Sequence, residues 1–165
     1  MKILRTVFIL LFLTASMASC TWTQKKRDDF AMKCSQTDTI DGITVLFRGF
    51  DNNEFDSILI KEYKDTIFLD SFMVFVMPAQ SPFDIERKER SSSIDRIMNT
   101  KHSYQFFIPG QEPYELANMK MVMWAQYSMC SEGWGCVMGD YTIDGVRFEN
   151  DANPIIIKRD ISETK

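Results

Sequence analysis

The feature that most restricts the fold is an apolar period of two, returning in short runs from Thr39 to Ile157. In Ile43-Thr44-Val45-Leu46-Phe47-Arg48, positions 43, 45 and 47 share one face, while Thr44 and Arg48 take the other. Side chains alternate across a strand, so this run reads as half-buried β-structure. Ser57 to Tyr63 repeats the pattern, with Ile58 and Ile60 against Lys61. Thr66 to Met77 ends in Phe72-Met73-Val74-Phe75-Val76-Met77, apolar on both faces, which predicts a central strand covered on both sides. Pro78 stops it and Pro82 marks the next loop.

Residues 84–93, rich in charge and serine, form the longest break in the pattern. They are expected to hold a short helical turn or a mobile excursion. Strands resume at Ser103–Ile108 and at Met119 to about Met129, where Met119, Met121 and Met123 alternate as adaptable core filling. Asp144-Gly145 between Tyr141-Thr142-Ile143 and Val146-Arg147-Phe148 is a hairpin turn signal. Pro154 opens Ile155-Ile156-Ile157 as a final strand, at an edge or strand start. Seven to nine short strands without an amphipathic helix predict an all-β antiparallel sandwich of immunoglobulin-like or transthyretin-like shape over residues 37–160. Residues 161–165 are expected to fray.

Ahead of that domain stands MKILRTVFILLFLTASMASC: Lys2 and Arg5, an apolar Val7–Leu13, then small and polar residues up to Cys20. The apolar run is too short to span a bilayer and has secretory-signal anatomy. Met17-Ala18-Ser19-Cys20 resembles the lipobox of bacterial lipoproteins, with Met17 where leucine is usual. The resemblance covers residues 1–20 and implies cleavage after residue 19, acylation of Cys20, and attachment to the cell envelope. Thr21, in place of an aspartate, points to the outer membrane of a Gram-negative cell. Residues 20–36, with Lys25-Lys26-Arg27-Asp28-Asp29 at their centre, are expected to be a flexible tether.

The signal segment holds two of the 19 basic residues and none of the 23 acidic ones, so the remainder carries a net charge of −6. Such a domain lacks the positive field that nucleic-acid binding requires. Besides Cys20 there are Cys34, Cys130 and Cys136, an odd number in an oxidising compartment. Cys130 and Cys136 flank a glycine-bearing run that reads as a hairpin end, and their pairing is the expected disulfide. Cys34 with one of them is the alternative.

Catalytic signatures are missing. One histidine, His102, rules out paired-histidine zinc motifs, and no nucleophile elbow, P-loop or GxGxxG occurs. No cofactor motif is present. Glu112, Glu115, Asp140 and Asp144 are the carboxylates available for an acid–base pair. Trp134, between Gly133 and Gly135, is the candidate binding aromatic, placed on a loop tip. Asp38-Thr39, Asp56-Ser57 and Asp65-Thr66 each precede isoleucine and resemble short periplasmic O-glycosylation acceptors. The reading is a binding or scaffolding module held to the membrane by its lipid, with an envelope protein or glycan as partner. An envelope hydrolase using a carboxylate pair, or an inhibitor of an envelope enzyme, is the alternative.

Overall fold

The computed structural model describes residues 24–128, 131–149 and 151–159, with backbone alone for 125–128 and 131–132. The described residues form nine strands: β1 (Thr39–Arg48), β2 (Ser57–Lys64), β3 (Ile67–Phe75), β4 (Glu89–Asn99), β5 (Ser103–Phe107), β6 (Tyr114–Ser128), β7 (Ser131–Ile143), β8 (Val146–Glu149) and β9 (Ile155–Ile157). They build a three-stranded sheet, β4-β1-β9, and a six-stranded sheet, β3-β2-β5-β6-β7-β8. Neighbours are antiparallel except β1 and β9, which pair in parallel from Leu46–Ile155 to Arg48–Ile157. The all-β, sandwich-like expectation holds.

One core lies between the sheets. Val45, Phe47 and Ile94 from the small sheet meet Ile58, Ile60, Phe106, Leu116 and Tyr141 from the large one. Phe47, Phe50 and Phe55 meet edge to face, with centroids 5.3–6.4 Å apart, the geometry that their ring quadrupoles prefer. Met119 and Met121 are buried as expected. The Asp144-Gly145 turn forms with φ of 52° and 78°, left-handed values that glycine and aspartate tolerate.

Several expectations are corrected. The break at 84–93 holds the expected short helical turn, but from Glu89 it is strand β4 and no mobile excursion. Pro82–Arg87 forms the helix, with Ser81 as N-cap and Asp84 closing a capping box, and Glu89 begins the strand. β4 carries no apolar alternation because two of its inward positions are Arg90 and Ser92, both buried. Residues 24–35, expected within the flexible tether, are helical. We number this helix α1 and Pro82–Arg87 α2. Residues 131–136 are extended strand instead of a loop end; Trp134 lies opposite Ala125, and Cys136 opposite Met123.

The disulfide joins Cys34 to Cys136, with Cα atoms 5.3 Å apart. The expected Cys130–Cys136 pair is therefore corrected: a strand from 131 to 136 carries its ends about 17 Å apart, beyond the 7 Å that a bridge tolerates. Cys130 and Cys20 lie outside the described residues. The bridge closes 102 residues of sequence and fastens α1 against β7.

Candidate functional site

β3 is where expectation and structure part most usefully. Instead of a central strand, it is the edge of the large sheet, paired among the described residues with β2 alone. Val74 and Val76 point inward and are buried, whereas Phe75 is 82% exposed and Met73 and Met77 are each 57% exposed. The face is wider than one strand. Met73, Leu59 and Phe107 stand opposite one another across β3, β2 and β5, so their side chains share the outer surface. Lys61 Nζ lies 4.5 Å from the Phe107 ring centroid, and Phe75 stands opposite Ser57.

Next to this face the two sheets part. β3 and β4 are both edge strands, and between them runs a groove of about 470 Å³ lined by Phe72, Met73, Phe75, Ile94 and Arg96. One end is sewn shut. Ser92 Oγ donates to the Phe75 carbonyl at 2.7 Å, and the Met77 amide donates to the Ser91 carbonyl at 2.7 Å. The other end is bridged by Arg96, 3.0 Å from Asp70 and 4.1 Å from the Phe72 centroid. Arg96 and the Ser71 N–H, which donates to Asp70 at 2.7 Å, together hold the Asp70 carboxyl below its usual range. Of the outward backbone groups of β3, these contacts occupy the Phe75 carbonyl and the Ser71 N–H, which blunts the edge in part. What remains open is the side-chain surface: thioether, phenyl and aliphatic groups around a shallow groove.

The other candidates fall elsewhere. Trp134 is half-buried on β7, its ring 5.8 Å from Phe30 of α1, so it braces the helix and occupies no loop tip. His102 is half-buried, with Nδ1 2.7 Å from Glu62 Oε1. Tyr104 donates to the same oxygen at 2.9 Å and accepts from the Asn99 N–H at 2.8 Å, so the cluster locks the β4–β5 turn. Burial lifts the Tyr104 phenol far above its ordinary value.

The four carboxylates do not converge. Asp140 pairs with Arg147, and Asp144 pairs with Arg159 while accepting the Glu115 N–H. Glu112 meets Arg159 through its backbone carbonyl. Among the described residues no group of three or more His, Cys, Asp or Glu is placed to hold a metal. Thr39 and Thr66 are exposed and Ser57 is half-exposed, at or next to strand ends.

The site thus defines a class, an all-β sandwich with an uncovered apolar strand face. Compared with protein families, curated proteins and solved structures, the chain finds no match. The sequence signal for β3 is its six consecutive apolar residues, which carry one face for the core and one left open instead of double coverage.

Proposed function

We propose that this chain is a lipid-anchored protein of the cell envelope that works by docking a protein partner on the outer face of β3. The observation that carries the reading is Phe75, Met73 and Met77 side by side in the open. Fully burying such side chains yields about 1.5–3 kcal/mol each, enough to centre an interface. Isolated exposed apolar residues are ordinary, but a contiguous apolar patch marks an interaction site.

Strand register argues for a protein over the bilayer as occupant of this face. α1 runs into β1 at Thr39, which pairs with Asn99, and the β4–β5 turn sets Ser103 beside Tyr63 at the end of β2. Phe75 and Phe107 lie at the opposite ends of β3 and β5. On the reading that Cys20 is acylated, the lipid therefore enters at one pole, where Ile67, Phe68 and Leu69 are exposed, and the patch of Met73, Phe75 and Met77 belongs to the other. A photoreactive amino acid at position 73, 75 or 77 in cells should give one discrete protein adduct, lost in Phe75→Glu or Met73→Glu. Positions 115 and 118, both exposed, should not give it. Adducts of equal yield at all five positions, or none at 73–77, would defeat the reading. Cys20→Ser should separately move the protein from detergent to the aqueous phase.

A further inference from the structure

The second open edge lies on the far side of the small sheet. Among the described residues β9 covers β1 only at Leu46–Arg48, so the first half of β1 has β4 on one side and no described strand on the other. The hydrogen bonds fix which groups this leaves uncovered. Asp38 accepts the Thr100 N–H at 2.8 Å on the β4 side, and the Leu46 N–H donates to the Pro154 carbonyl at 2.8 Å on the β9 side. Ladder alternation, with the bulge between Asp41 and Ile43, then turns the amides of Thr39, Asp41 and Thr44 away from β4.

Those three residues line a cleft of about 450 Å³ whose facing wall includes Met121, Cys136 and Met138. Asn153 stands at the cleft too, next to the Pro154 that opens β9. An unpaired strand edge facing such a cleft calls for donors and acceptors repeating about every 6.7 Å, the pattern an extended polypeptide carries. The side chains narrow it further. Methionines accept varied apolar groups, and Asp41 is exposed with no ion pair among the described residues.

We propose that this cleft is a slot for an extended peptide, which adds as a strand beside Thr39–Thr44 in line with β9. The slot spans about 17 Å, room for four or five residues. It takes apolar side chains toward Met121 and Met138 and a lysine or arginine beside Asp41. This is independent of the β3 face and of the anchor.

The test titrates the full chain in detergent with a capped hexapeptide of alternating valine and lysine, following backbone amide shifts. Saturable binding should move the amides of Thr39, Asp41 and Thr44 first. Methylating the valine amides or the lysine amides presents two different edges, and only one of the two should cost at least tenfold in affinity. Thr44→Pro, which removes an outward N–H that β4 does not use, should abolish binding. The exposed Asp41→Lys should transfer preference to a valine–glutamate peptide. No saturation at millimolar peptide, shifts centred on β3, equal loss with both methylated peptides, or unchanged preference in Asp41→Lys would overturn the slot.

Discussion

The guanidinium of Arg90 lies 4.7 Å from the centroid of Phe55, in a side chain only 2% exposed. Its partners are the carbonyls of Asp51 and Val76, each at 3.3 Å, and its Nε has no partner among the described residues. Burial pulls its pKa down, against the pull of Asp56 and Glu54. A buried cation held by a ring and two carbonyls is expensive to keep. Arg90→Met, which keeps the volume and drops the charge, should stay within about 1 kcal/mol of the parent or gain, whereas Arg90→Ala should lose about 2–4 kcal/mol to the cavity. Urea denaturation of both variants decides, and equal losses would refute this.

The Cys34–Cys136 bridge leaves Cys130 as the expected free thiol. Denatured, unreduced mature protein with Cys20 blocked should react with one equivalent of maleimide, and the label should map to position 130. Cys34→Ser and Cys136→Ser should each cost about 2–5 kcal/mol, and the double variant no more than either alone.

Gly139 sits under Val122. A Cβ at this position would come within 2.4 and 2.5 Å of the two Val122 methyl groups, though its φ is unremarkable. Gly139→Ala should therefore cost about 1–3 kcal/mol by overpacking. Adding Val122→Ala should recover most of that loss, a pattern that backbone strain at 139 would not produce.

Alkaline behaviour follows from the tyrosines. Burial raises the phenols of Tyr104, Tyr114 and Tyr141, so the folded state keeps them neutral where the unfolded chain ionises. Their contribution is complete below the unfolded pKa of about 10 and falls as pH rises toward the folded values, by about 1.4 kcal/mol per pH unit for each phenol. Stability should be flat from pH 7 to 9 and drop steeply above 10. Absorbance at 295 nm should show the three phenols ionising only with unfolding, and early ionisation of Tyr104 and Tyr141 would contradict their burial.

Strand positions were readable wherever inward residues were apolar, as in β1, β2 and the Asp144-Gly145 hairpin. Reading failed at β4, because Arg90 and Ser92 fill inward places through bonds to the distant Asp51, Val76 and Phe75. It also failed at α1, a charged segment whose order comes from a bridge and a ring contact supplied about a hundred residues later. The apolar character of β3 was evident, but its position at a sheet edge depends on strand order, which local pattern does not encode. The slot beside β1 was equally invisible, since it exists only because β9 is three residues long.

Because α1 is bolted to β7 at Cys34 and braced at Phe30, no swivel separates β1 from the start of that helix. Its twelve residues, 24–35, make a post about 18 Å long. On the proposed acylation, residues 21–23 allow at most about 14 Å of play. A domain on a loose leash samples every heading and height; one on a short post keeps both within narrow limits. Anything that meets Phe75 then does so at a set altitude above the lipid, and the search for it is confined to two dimensions.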